Sequence, residues 1–412
     1  MSIFLFHRDF RTIDNTTLLE LSKKSDCIYP VFIFNPEQVD SEKNPYYNEK
    51  SIQFMTECLP FPIQVFYGDT LKVLESLFKE NEIEYIGFNL DYTAYAIERT
   101  KNVKKLSEKY NVKVITNEDY TLMKMTEFRE KGFYKVFRPF YEHLLTLDIP
   151  KPSKRNIHLS EKKLKVKKLY EFKLPKNHQN HRKDALRIMK NTFSNYEKTR
   201  NIPHLDSTTH LSKYIKYGVV SIREVYDVYK NNIELARQII WHDFYASLMY
   251  FLPKNDTIGG GNLQHKSIKW QTKYFKQWCK GETGIPLVDA GMRQLNESGW
   301  MHNRVRLITS NFLSMVLKID WKKGEKYFAQ KLIDYDVASN NLNWQFSAQV
   351  GTDRNPYVRI YNPFLQSLKY DKDCDYIKRW IPELKNVECK DIHKWYKMYE
   401  KYDTYVKPIV KY

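Results

Sequence analysis

At 412 residues the chain is long enough for two domains, each with a core of its own. A formal net charge of +18, from 67 Lys and Arg against 49 Asp and Glu, makes a polyanion a natural partner, although the same charge also serves plain solvation. The longest apolar runs, such as Tyr29 to Phe34, are far too short to cross a bilayer, and MSIFLFHRDFRTID meets charge early with no cleavage-site pattern, so neither a membrane protein nor a secreted one is expected. Cys27, Cys58, Cys279, Cys374 and Cys389 are scattered, with neither paired metal spacing nor a disulfide framework, so a reducing compartment and no metal site are expected.

Apolar, β-branched runs at Ile3–Phe6, Ile28–Phe34, Ile63–Tyr67, Tyr85–Asn89 and Val112–Ile115 read as strands. Between them lie helical patterns such as Leu71, Leu74, Leu77 and Phe78. Strands this apolar, with connections of helix length, predict an α/β domain over 1–149 built on a parallel sheet, without the GxGxxG loop of a dinucleotide site. Residues 150–183 change character. Positions 151–183 carry twelve Lys or Arg against Glu161 and Glu171, with prolines at 152 and 175, and read as a basic connector. From 184 to 412 the strand pattern fades; Val288, Met292 and Leu295 share one helical face, as do Val305, Ile308, Phe312 and Val316, so the second domain should be mainly helical.

The residues that carry chemistry gather in that second half. Thr208-Thr209-His210-Leu211-Ser212 precedes an apolar turn ending at Gly218, where hydroxyls and first-turn N–H groups suit a phosphate or simply cap a helix. GWMHNRVR, over 299–306, concentrates a ring, an amide and two guanidinium groups. Arg306 can pair with Asp334 of IDYDVASNN, in which Asp336, Asn340 and Asn341 follow. These groups suit a flavin or a ribose, or equally a buried salt bridge with helix caps. Trp270, Trp321 and Trp344, and Trp241 in QIIWHDFY, are by spacing alone core anchors.

Taken together, HRDFRTIDN, NLDYTAYAIER and YKVFRPF in the first half, and TTHLSKYIKYG, TGIPLVDAGMRQLNESGWMHNRVR, IDW, LIDYDVASNNLNWQF and RIYNP in the second, resemble the landmarks of the photolyase and cryptochrome family in number and order. The resemblance spans essentially the whole chain and is nearest to class I cyclobutane pyrimidine dimer photolyases. It implies an antenna domain over 1–149, a connector, and a helical FAD-binding catalytic domain over 184–412. It also implies light-driven electron transfer from reduced FAD to a flipped-out lesion in ultraviolet-damaged DNA. A second chromophore of folate, deazaflavin or flavin type is compatible with the first domain. A monomer is expected, working in the cytoplasm or nucleus wherever the DNA resides.

By the same resemblance, Tyr196, Thr208, Thr209, Leu211 and Ser212 hold the phosphates and ribityl chain of FAD. Asn303 and Arg306 approach the flavin, Asp334 and Asp336 lie near its ring or adenosine part, and Asn340 contacts N5. Trp344, Trp321 and Trp270 form an electron-transfer chain toward solvent. Arg200, Gln238, Trp241, Arg304 and Phe346 surround the lesion, with Gln238 beside the reacting bases.

Two departures bear on the lesion. Gln238 stands where a cyclobutane dimer enzyme typically has a carboxylic acid, and Phe346 replaces a frequent Trp. Against them, Asn303 and Leu307 stand where enzymes for the (6-4) photoproduct typically have two histidines. Cyclobutane repair is therefore the expected activity, with (6-4) repair and a cryptochrome-type light receptor as the alternatives. The short stretch after RIYNP favours the enzyme over the receptor.

Overall fold

The computed structural model describes all residues except 61, 129–132, 171, 173–180, 253–269, 353–358 and 412, so part of the expected connector lies outside the described residues. Contacts divide the chain into two compact units, one made of 1–192 and 209–256, the other of 193–208 and 257–412.

The first unit is built on a five-stranded sheet, β1 Ser2–Leu5, β2 Ile28–Phe34, β3 Gln64–Tyr67, β4 Tyr85–Leu90 and β5 Lys113–Glu118. Every pairing is parallel and the order is β3-β2-β1-β4-β5. β1 and β2 are buried along their whole length, which is why their sequences read as unbroken apolar runs rather than alternating ones. Helices Thr16–Leu21, Thr70–Glu80 and Ala94–Lys109 link successive strands; Asn15, Asp69 and Thr93 cap them by accepting a first-turn N–H. Leu74 and Leu77 of the second helix enter the core with Ile3, Val31 and Ile86.

A buried ion network is the chief polar feature of this unit. The Asp119 carboxylate lies between Arg11 and Arg223 (Nη2 to Oδ1 2.8 Å for the latter) and accepts the Thr16 hydroxyl at 2.6 Å; Arg223 Nε also reaches Asp14 at 3.0 Å. Burial pushes the Asp119 carboxyl up, but the two guanidinium groups outweigh it and hold it below the usual carboxylate range. Arg223 belongs to the helix Ile222–Tyr229, so the network ties residues beyond 209 to the loop after β1.

The second unit is helical. Pro286–Ser298, Asn303–Asn311, Trp321–Ala329, Val337–Ser347 and Asp375–Trp380 surround a core containing Trp278, Leu295, Phe312, Trp321, Trp344 and Tyr376. The helical face expected through Val316 is kept, with Val305, Ile308 and Phe312 in the core and Val316 packed against it, but over Phe312–Val316 the backbone winds into a π-helix and the Leu317 N–H donates to Phe312 O at 3.0 Å. Gly299, at φ +72°, ends the Pro286–Ser298 helix and turns the chain into the segment that carries Asn303. At Gly324 a Cβ would overlap the Trp344 ring and Leu313, so the absence of a side chain lets the Trp321–Ala329 helix close onto the indole.

One expectation is corrected. Cys374 and Cys389 are joined by a disulfide, with Cα atoms 5.8 Å apart; Cys27, Cys58 and Cys279 are free. The two sulfurs meet because Cys374 sits at the start of the Asp375–Trp380 helix and Cys389 opens the helix Cys389–Ile392, an approach that spacing along the chain does not reveal. Among the described residues no helix is long and apolar enough to cross a membrane.

Candidate functional site

The helix Asn303–Asn311 follows the turn at Gly299. His302 caps it by accepting the Arg304 N–H, and the Asn303 amide is exposed. One turn on, Arg306 is fixed twice: Nε donates to Met301 O at 2.7 Å, and Nη2 reaches both oxygens of the buried Asp334 at 3.0 and 3.2 Å. The pairing expected between Arg306 and Asp334 is thus present. Asp336 caps the helix Val337–Ser347 through the Ser339 N–H at 2.8 Å. Asn340 follows on that helix, and its amide donates to the Glu325 carboxylate at 3.1 Å. Glu325, buried and also bonded by Tyr335 Oη at 3.1 Å, orients Asn340; the sequence reading passed over it because a helix-face Glu looks like solvation.

Tyr196 is buried at the head of the short helix Tyr196–Thr199. The Oγ atoms of Ser207 and Thr208 are buried and make no hydrogen bond within the described residues, a state that costs about 1–3 kcal/mol unless a ligand or water supplies a partner. Thr209 Oγ1 accepts the Leu211 N–H at 3.3 Å, and Ser212 begins a helix of a single turn, Ser212–Lys216.

Trp344 is packed edge-on against Phe328 and Trp278, with ring centres 5.0 and 6.1 Å away. Trp321 is buried at the first position of the helix whose Gly324 meets Trp344. Trp270 is half-buried; a parallel bridge from its neighbour Gln271 to Ile319, with Gln271 N–H to Lys318 O at 2.9 Å, sets it beside the segment that leads into Trp321. Trp278, fully buried and in contact with Trp344, adds a ring to this group that spacing along the chain does not reveal.

Arg304 turns back to Asn201, donating to its Oδ1 from Nε and Nη2 at 3.1 and 2.7 Å, which brings it next to the segment of Arg200. Phe346 is half-buried two positions beyond Trp344. Gln238 and Trp241 belong to the first unit, three residues apart on one face of the helix Ile233–Phe251. Trp241 stacks on Phe137, with ring centres 3.6 Å apart and planes 5° from parallel, so Phe137 props one face of the indole.

In the first unit, strand order reverses between β1 and β4, and a crevice opens at the carboxyl ends of those strands. His7, Asp9, Asn89, Asp91 and Tyr120 line it. Asn89 bonds Asp9 at 2.6 Å, and Arg8 lies over the Tyr120 ring at 4.1 Å. Its volume, about 30 Å³, suits water rather than an aromatic chromophore.

Residues 2–155 match the DNA photolyase family, and residues 235–412 match the FAD binding domain of DNA photolyase. A deoxyribodipyrimidine photo-lyase of Buchnera aphidicola from Acyrthosiphon pisum is 34% identical, the alignment covering 100% of this chain and 94% of the relative. The chain belongs to the photolyase/cryptochrome family. Among solved photolyases, one from Sulfolobus tokodaii with two FAD molecules superposes with a TM-score of 0.88 at 32% identity, covering 100% of this chain and 96% of that one. A class III photolyase from Agrobacterium tumefaciens also gives 0.88, at 28% identity, covering 100% and 94%.

The residues present fit the FAD of this photolyase family. Among the described residues the buried hydroxyls at 207 and 208 have no partner, as groups awaiting phosphate or ribityl oxygens would. The exposed Asn303 amide and the Arg306–Asp334 pair offer donors and a fixed charge suited to a polar ring edge.

Proposed function

We propose that the protein repairs cyclobutane pyrimidine dimers in ultraviolet-damaged DNA under light, as a monomer, with FAD held by residues between Tyr196 and Asn340. The reading is carried by one observation: Asn303, the Arg306–Asp334 pair and the Trp344 ring lie on two helices, Asn303–Asn311 and Val337–Ser347, that pack on each other, or on the loop leading into them. FAD, when bound and reduced, would supply light-driven, reversible electron donation to the damaged bases.

The chain's own residues do the rest. Tyr196, Thr208, Thr209, Leu211 and Ser212 hold the phosphates and ribityl chain. Arg306 and Asp334 keep charge balanced beside the ring, Asp336 lies toward its adenosine part, and Asn303 and Asn340 offer amides to its polar edge. Trp344, Trp321 and Trp270 carry electrons inward to restore the reduced cofactor. Gln238 bonds the flipped base edge, Trp241 and Phe346 flank it, and Arg200 and Arg304 grip nearby phosphate without reading sequence. The excess positive charge draws the polyanion in. A second chromophore of folate, deazaflavin or flavin type in the 1–149 domain would require the crevice to open, with Arg8 lifting from Tyr120.

Gln238 favours one alternative, the (6-4) photoproduct, because it stands where a dimer enzyme has a carboxylic acid. Illumination of reduced protein with separate DNAs bearing either lesion decides. Loss of the cyclobutane dimer alone is the expected result; loss of only the (6-4) product would reassign the lesion, and loss of neither with intact reduced flavin would point to a light receptor.

Trp241→Ala should weaken binding to lesion DNA by about 1–3 kcal/mol, the worth of one base–aromatic stack. Filter binding on damaged and undamaged duplexes checks this, and equal affinity in wild type and variant removes Trp241 from the pocket.

A further inference from the structure

The disulfide between Cys374 and Cys389 does not stand alone. His393, buried and one helical turn beyond Cys389, directs Nε2 to within 3.4 Å of Cys374 Sγ, 3.2 Å of Cys389 Sγ and 2.9 Å of Lys372 O. Its Nδ1 meets the buried Ser367 hydroxyl at 2.7 Å. A hydroxyl can donate or accept, so Ser367 satisfies either imidazole tautomer: Nε2 donates to Lys372 O while the sulfurs are joined, and offers its lone pair to a thiol when they are not. A purely structural staple has no use for such a base. Access is asymmetric as well, for Cys374 is fully buried whereas Cys389 is half-exposed.

We propose that Cys374, Cys389 and His393 form a thiol–disulfide exchange site that reacts reversibly with small thiols and disulfides. In the oxidising direction, His393 takes the Cys389 proton and the thiolate attacks a small disulfide, RSSR, giving a Cys389–SR mixed disulfide and releasing RS⁻, which is protonated to RSH. His393, having given the first proton to RS⁻, takes the Cys374 proton; the Cys374 thiolate attacks the Cys389 sulfur and expels the second RS⁻, which His393 protonates. The two cysteines lose two electrons and two protons; RSSR gains both and leaves as two RSH. Reduction by thiols runs the same steps backward.

The site is joined to the flavin-side turn by direct contacts. Cys374 precedes the helix Asp375–Trp380, whose fully buried Tyr376 donates from Oη to Gln294 Oε1 at 2.6 Å. The same Gln294 oxygen accepts the backbone N–H of His302, the residue before Asn303, at 3.3 Å. Closing the disulfide pins the start of that helix.

The two sulfurs and the imidazole nitrogen also lie close enough together to ligate a metal, with Cys389 and His393 four residues apart on one helical turn. The bonded sulfurs and the Nε2 contact with Lys372 O favour exchange, because a metal would need both thiolates and that nitrogen free.

The full-length, flavin-loaded protein is equilibrated in glutathione buffers of graded oxidation, alkylated and mapped by mass spectrometry. The expected result is reversible interconversion of Cys374–Cys389 while Cys27, Cys58 and Cys279 remain alkylatable, with a melting temperature about 3 °C lower in the dithiol form. His393→Asn should slow exchange roughly a hundredfold without moving its end point. Cys374→Ser should trap glutathione on Cys389. A pair that stays crosslinked in every buffer, a pair that stays reduced in every buffer, or native protein carrying one zinc with both thiols protected would each overturn the proposal; the wild-type titration decides even if the buried serine variant fails to fold.

Discussion

Trp344→Phe is expected to slow light-driven reduction of the bound flavin by roughly tenfold or more, equivalent to about 1.4 kcal/mol on the barrier, while leaving repair by chemically pre-reduced protein unchanged. Indole gives up an electron far more readily than benzene, and this ring is buried against Phe328, Trp278 and the bare backbone of Gly324. Phe preserves most of the packing there, so the variant isolates the electron-transfer role. Parallel loss of photoreduction and pre-reduced repair would mean damage to the cofactor pocket instead. Trp321→Phe should behave alike, and Trp270→Phe more weakly because Trp270 is half-buried.

Asp119→Ala is expected to destabilise the first unit by about 3–5 kcal/mol, seen as a lower denaturant midpoint, because Arg11 and Arg223 lose the carboxylate that both of them contact directly and are left buried. The pH dependence has a definite sign. A carboxyl whose folded pKa is lowered contributes stability that is fully present above its unfolded value, about 3.9, and is lost as pH falls through the folded value. Wild type should therefore lose stability below about pH 4 more steeply than the variant. Equal stability of the two at neutral pH would contradict this account of the network.

Much of the fold was legible because it rests on local pattern. Parallel strands covered on both faces must be apolar throughout, and Ile28–Phe34 is found over the range its composition marks. Helical faces such as Val288, Met292 and Leu295 were equally plain, being all buried on one helix. The π-turn at Phe312 was not, since it shifts the hydrogen-bond register without breaking the apolar spacing. Arg306 and Asp334 could be matched in advance as opposite charges, but Arg304 and Asp336, each two residues away, offered the same match, and only the fold shows which pair forms. What stayed hidden depends on chain segments meeting in space: Glu325 steering Asn340, Phe137 behind Trp241, and Cys374 meeting Cys389. The grouping of residues 209–256 with the sheet belongs to the same class, for it is fixed by contacts such as Arg223 with Asp14 and Asp119 that are remote in sequence.

The most direct measurement is the fluorescence lifetime of the fully reduced flavin in this protein with undamaged DNA and with the same DNA carrying one thymine dimer. Electron transfer to a flipped-out lesion predicts a markedly shorter lifetime with the dimer. Identical lifetimes at saturating dimer DNA would contradict it.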